Sequence, residues 1–139
     1  MVTRNMVDCE FCEINMHKDE VLISDKYFYI KWDKYPVNPG HALIISKRHI
    51  SSLSELKSKE ASSLFRMLKK AKKIIKEKYH PGGFNFGVNE GRIAGQTIAH
   101  LHVHIIPRHK GDVKDPWGGI RNIIPGKGRY PSPKRLRYK

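Results

Sequence analysis

His100-Leu101-His102-Val103-His104-Ile105-Ile106-Pro107-Arg108-His109 is the stretch of this 139-residue chain that decides its fold. Imidazole and aliphatic side chains alternate strictly over its first half. That period of two predicts a β-strand with one apolar face and one face carrying His100, His102 and His104. Neighbours on that face stand about 6–7 Å apart, from the strand rise. Three imidazoles in a row are a poor means of solubility and a good ladder for chemistry, because histidine can ligate metal, shuttle protons or attack an electrophile near neutral pH. Three collinear side chains do not converge readily on one tetrahedral ion. A metal site would therefore take one of them together with ligands from elsewhere.

Outward from this strand, Gly95-Gln96-Thr97 reads as the turn that precedes it, and Phe84 to Asn89 alternates as another strand. Ser58 is expected to cap a long helix through about Tyr79, ended by Pro81-Gly82-Gly83. Its apolar positions Leu64, Leu68, Ala71 and Ile75 recur at helical spacing, with lysines opposite. Further upstream, Val21–Ser24, the aromatic run from Tyr27 to Trp32, and His41 to Ile45 read as three strands, the last two paired across a loop containing Pro36 and Pro39-Gly40. The order β-β-β-α-β-β predicts an α+β fold: a single antiparallel sheet of about five strands with one long helix packed on it. Residues 1–107 are expected to form the domain, and 108–139 a basic, ordered C-terminal arm of it.

The net charge is +14. Residues 51–79 hold nine Lys/Arg against three Asp/Glu, and 108–139 hold ten against two. Such a field favours polyanionic substrates and loose association with nucleic acid, through the basic tail above all; the 51–79 excess also reads as a solvated helix face. No stretch approaches the roughly 18–20 apolar residues of a membrane span. Met1 to Asp8 lacks an apolar core of a signal peptide, so a cytoplasmic location with two reduced thiols is expected. Those thiols form Cys9-Glu10-Phe11-Cys12, a Cys-x-x-Cys pair that reads as a redox motif, half of a metal site, or two packed thiols. No strand precedes it to support a thioredoxin-like reading.

The run from His100 to Ile106 resembles the histidine triad signature of nucleotidyl hydrolases and transferases. Asn89-Glu90-Gly91 followed by Gly95-Gln96-Thr97 resembles the branches acting on dinucleoside polyphosphates, including the fragile histidine triad proteins. The likeness runs from Cys9 to about Pro107. It implies the histidine triad fold, a twofold homodimer, and cleavage at the α-phosphate of adenosine polyphosphates or nucleoside phosphoramidates through a nucleotidyl-histidine intermediate. By resemblance His102 is the nucleophile, His104 a donor or cation beside the same phosphate, and His41 an aid to orienting the nucleophile's ring. Gly95 lets backbone approach the phosphates, while Gln96 and Thr97 offer donors. Asp33 accepts bonds from ribose hydroxyls, Asn89 contacts phosphate or ribose, and Phe11 and Trp32 supply apolar walls for a purine. Asp33 and Gly95 also read as ordinary turn residues. Branches of the family bind structural zinc through a set matching Cys9, Cys12, His49 and His100. Trp32-Asp33-Lys34 departs from the Asn-containing segment of the fragile histidine triad branch. Trp117 to Pro125 resembles the arm of prokaryotic-type members, placing Arg121 and Lys127 over a polyphosphate or against a partner subunit. Two other classes remain: a nucleic-acid-associated protein that deadenylates or merely binds, and a zinc-stabilised module that binds nucleotide without turnover.

Overall fold

The computed structural model describes residues 8–131. The segment read for a signal peptide falls almost wholly before them, and the last eight residues, with four of the tail's cations, fall after them. Five strands, β1 (Val21–Ser24), β2 (Phe28–Trp32), β3 (Ala42–Ser46), β4 (Gly83–Gly87) and β5 (His102–Arg108), build one antiparallel sheet in the order β1-β2-β3-β5-β4. One 22-residue helix, α1 (Ser58–Tyr79), packs against β2, β3 and β5. This is the α+β architecture expected from the alternation of patterns. Among the described residues no helix is long and apolar enough to cross a membrane.

Strand alternation divides the core. Phe28, Ile30, Ala42, Ile44, Val103 and Ile105 face the helix and meet Met67, Ala71 and Ile75. Tyr29, Leu43 and Ile45 face the other way, onto Cys9, Phe11 and Cys12. β3 is buried on both faces, which is why Ala42-Leu43-Ile44-Ile45 is an unbroken apolar run.

Several boundaries differ from the sequence reading. β5 begins at His102, because the Leu101 amide donates to the Ile50 carbonyl at 2.6 Å, and its carbonyl accepts from the Ser46 amide at 3.2 Å. His100 therefore stands off the strand. β4 stops at Gly87, short of Asn89. Lys57, not Ser58, caps α1: its amide donates to Glu60 Oε2 at 2.8 Å, and Glu60 is held there by Arg48, whose Nε and Nη2 lie 2.9 and 2.8 Å from the two carboxylate oxygens. Arg48 is the chief reason the Glu60 carboxyl is lowered to about 2. The deepest stripe of the helix is Ser63, Met67, Ala71 and Ile75, with Leu64 and Leu68 at its margin. Ser63 faces the core because its hydroxyl donates to Asp25, whose carboxylate also accepts the Tyr27 and Phe28 amides at 2.8 Å and so ties α1 to the β1–β2 turn.

Among the described residues, those from Lys110 onward form a separate compact unit. In it Arg129 pairs with Asp115 through Nε at 3.0 Å and Nη2 at 2.8 Å, and the Arg121 guanidinium lies 4.8 Å from the centre of the Tyr130 ring. Arg121 Nε also donates to the Lys127 carbonyl at 3.1 Å.

Candidate active site

Two clusters of side chains meet on the sheet face opposite α1. The first gathers around the triad. Leu43 pairs with His104 and Ile45 with His102, so these two imidazoles stand on the same face over Leu43, Ile45 and Tyr29. Their ring centres are 5.0 Å apart, close enough to serve one phosphate. His102 is buried and its Nδ1 lies 2.8 Å from the His100 carbonyl. A carbonyl only accepts, so Nδ1 carries the hydrogen, and in the neutral ring the lone pair is on Nε2. Phe11 packs edge-on against the His102 ring at 5.0 Å. Its carbonyl accepts the Tyr29 hydroxyl at 2.6 Å, so Phe11 is a buried wall of the nucleophile itself.

His41 reaches His104 rather than His102, with Nε2 3.0 Å from His104 Nδ1. The Val37 amide donates to His41 Nδ1 at 3.2 Å. In the neutral ring the hydrogen of His41 must then sit on Nε2 and point at His104 Nδ1, which leaves the His104 hydrogen on Nε2. Burial is the main cause that lowers both rings, His41 in direction and His104 to about 4, with Asp33 opposing. Both are neutral near pH 7, as this chain of bonds requires. Asp33 Oδ2 lies 3.4 Å from His41 Nε2 and 3.9 Å from His104 Nδ1. The β2–β3 hairpin explains this meeting: Trp32 pairs with Ala42, and the Asp33 amide donates to the His41 carbonyl at 2.9 Å, so the eight-residue interval puts the two side by side. Gly40 closes the loop at φ 89°, where a Cβ would come within 2.7 Å of the Tyr79 ring. Trp32 points the other way, edge-on to Tyr79 at 5.5 Å on the helix side. Strand alternation removes it from the site, and the expected purine wall is not there.

The turn before β5 is held from within. Gln96 Oε1 accepts the Gly91 amide at 2.9 Å and its Nε2 donates to the Ser51 carbonyl at 3.0 Å, so this side chain fastens its own loop. Gly95 sits at φ 89° with open space around it, so backbone conformation is what demands glycine there. Thr97 is exposed and Asn89 half-buried. Thr97 and Ile98 line a cleft of about 540 Å³ shared with Asp8, Cys9, Glu10 and His49.

The second cluster is Cys9, Cys12, His49 and His100, whose ligand atoms all lie within 4.8 Å of one another. His100 Nδ1 is 3.4 Å from Cys9 Sγ, 3.6 Å from Cys12 Sγ and 3.2 Å from His49 Nδ1, and Cys12 Sγ is 3.2 Å from His49 Nδ1. A tetrahedral zinc with ordinary bond lengths sets N···N at about 3.3 Å and N···S at about 3.5 Å. The four residues fit that ion. His100 Nε2 donates to the Ser46 carbonyl at 2.5 Å, which turns the Nδ1 lone pair toward the sulfurs as ligation needs. Burial lowers His100 to about 4, and burial with the neighbouring Cys9 raises the Cys12 thiol to about 11. In the absence of a cation the Cys12 thiol holds its proton.

A HIT domain model matches residues 15–111, well over half of the chain. The chain belongs to the histidine triad (HIT) family. It is 39% identical over 118 residues to a Mycobacterium tuberculosis protein named AP-4-A phosphorylase, covering 82% of this chain and 56% of that one. It is also 39% identical over 80 residues to the asymmetrical bis(5'-nucleosyl)-tetraphosphatase of Schizosaccharomyces pombe, covering 58% of this chain and 44% of the yeast protein. The HIT chain thus spans about half the length of these curated relatives. A zinc-bound HIT protein from Mycobacterium smegmatis superposes on 77% of this chain and 79% of its own, at 28% identity and a TM-score of 0.68.

The sequence reading placed Asp33 against ribose and did not foresee its contact with both His41 and His104. The hairpin register carried that signal, since residues flanking a closed loop lie opposite each other. The Val37 amide and the Ser46 carbonyl, which fix two tautomers, leave no mark in a sequence.

Proposed function

We propose that the chain is a nucleotidyl hydrolase or transferase that cleaves adenosine polyphosphates, dinucleoside polyphosphates first among them, at the α-phosphorus. The observation that carries this reading is the His102 Nδ1 bond to the His100 carbonyl, which leaves the lone pair of the neutral ring on Nε2. In the first step Nε2 attacks phosphorus, a P–N bond forms, and the P–O bond to the leaving polyphosphate breaks. His104 Nε2–H donates to that leaving oxygen or to a non-bridging one, His41 and Asp33 hold the donor in place, and the Gly95–Thr97 turn lines the phosphate path. In the second step water, or phosphate in a phosphorylase, takes the nucleotidyl group and frees His102. Nucleoside phosphoramidates fit the same step, with an amine as the leaving group. Asn89 contacts phosphate or ribose, Asp33 retains a share in holding ribose hydroxyls, and Gln96 acts by keeping the turn in shape.

Cys9, Cys12, His49 and His100 would hold a structural zinc that fastens the N-terminal segment and the His100 carbonyl together; no chemical step passes through it. A twofold homodimer and a reducing, cytoplasmic setting belong to the same reading.

Incubation with diadenosine tetraphosphate, with and without inorganic phosphate, tests this through its products by mass spectrometry. AMP and ATP without phosphate mark a hydrolase, and ADP appearing only with phosphate marks a phosphorylase. Quenching at early times should yield a nucleotide adduct on His102, absent from His102→Ala. A parent chain with no turnover and no adduct refutes the proposal.

A further inference from the structure

We infer that the outer face of α1 is a docking surface for the phosphate backbone of double-stranded nucleic acid. The inference stands apart from the catalytic reading, because α1 covers the sheet face opposite His102 and His104. Lys59, Arg66, Lys69, Lys70, Lys73 and Lys76 are all exposed. At 100° per residue they fall within one arc of about 120°, whose centre lies about 140° around the helix from the Met67–Ala71 stripe, with Glu77 inside it. From Lys59 to Lys76 this band runs about 26 Å, long enough to reach across a duplex groove of about 12 Å to phosphates on both of its rims.

Little on the helix opposes the charge. Glu60 is turned inward onto Arg48, and Glu77, 3.9 Å from Lys73, is the exposed acid of α1. Asp25 faces Arg66 but accepts bonds from Ser63, Tyr27 and Phe28. At the head of the band Lys59 and Arg66 line a cleft of about 340 Å³ with Tyr27, Ser58 and Ser62, three hydroxyls that can donate to phosphate oxygens.

The occupant follows from what the face lacks. An anionic membrane anchors an amphipathic helix through its apolar side, and the apolar side of α1 is buried in the core. A single strand would need aromatic platforms for its bases. This face offers Phe65, and the Lys69 ammonium already lies 4.9 Å from its ring centre. A broad face of cations on one rigid helix suits the dense, fixed phosphates of a duplex.

The test is fluorescence anisotropy of the full chain on a labelled duplex of mixed sequence and about 20 base pairs, from about 50 to about 200 mM salt. The triple variant Lys69→Gln, Lys73→Gln, Lys76→Gln should flatten the plot of log affinity against log salt by about 2.7. Its affinity at about 100 mM salt should fall on the order of a hundredfold. The arginine triple at the same positions should bind like the parent, and the glutamine triple should keep the parent's melting temperature and diadenosine tetraphosphate turnover. Three results overturn the inference: a glutamine triple with unchanged slope and affinity, loss of all duplex binding on Lys134→Gln, Arg135→Gln, Arg137→Gln alone, or tighter binding of the parent to phosphatidylserine vesicles than to the duplex.

Discussion

If Cys9, Cys12, His49 and His100 hold zinc as proposed, its removal should loosen one face of the sheet and leave the other standing. The core beneath α1, from Phe28 to Ile105, shares no residue with the cluster. The segment Cys9–Cys12 is otherwise held by the Tyr29–Phe11 hydrogen bond and by Asn15 Nδ2, which donates to the Cys9 carbonyl at 2.7 Å. The donor atoms already stand at tetrahedral spacing, so binding costs little rearrangement, and free zinc at a hundred times its dissociation constant stabilises by about 2.7 kcal/mol. For a chain of this size that is a melting temperature about 5–10 °C higher. The His100 carbonyl also orients His102, so the metal-free protein should lose turnover about 10–100-fold while its helical circular dichroism persists. Differential scanning calorimetry with added chelator and with zinc restored, beside metal analysis of the purified chain, measures each part. Cys12→Ser should copy the chelator and should not respond to zinc. A chain that purifies without zinc and melts at one temperature under every condition would show that the tetrahedral spacing is only the packing of thiols and imidazoles.

Three further outcomes follow from particular contacts. Glu60→Gln keeps the shape of the helix cap but weakens the paired bonds to Arg48, and urea unfolding should show a loss of about 1–2 kcal/mol. Met67→Ala opens a cavity where α1 meets the sheet; it should cost about 2–5 kcal/mol by the same assay, and a loss under 1 would mean the site collapses freely. Burial lowers His104 from 6.5 to about 4, so the unfolded chain takes up its proton first as pH falls. Its contribution is therefore intact above about pH 6.5 and drains away toward pH 4, at no more than about 1.4 kcal/mol per unit. His104→Asn should flatten the stability profile across that window, and an unchanged profile would refute the assignment.

Alternation along β2, β3 and β5, the spacing of α1 and the hairpin loop made the fold legible, because each is a local pattern with one physical cause. His100 shows where that legibility ends. Read with its strand it belongs to the ladder, yet its place is set by Cys9 and Cys12, about ninety residues away. Ser63 broke the apolar rhythm of α1 because its partner, Asp25, lies in another turn. Gln96 looked like a donor aimed at substrate, and its amide instead closes on Gly91 and Ser51. In each case at least one deciding partner is distant in sequence, and side-chain type alone does not name it.

The place of β5 in the sheet bears on how the protein breathes. β1 lies at the margin farther from the triad and can fray without disturbing anything that reacts, whereas β5 is laced to a neighbour along each side. Amide hydrogens at Val103 and His104 should thus be among the last to exchange with solvent, released only when the whole molecule opens. Substrate would enter a scaffold already set, with the loops around it left to do the moving.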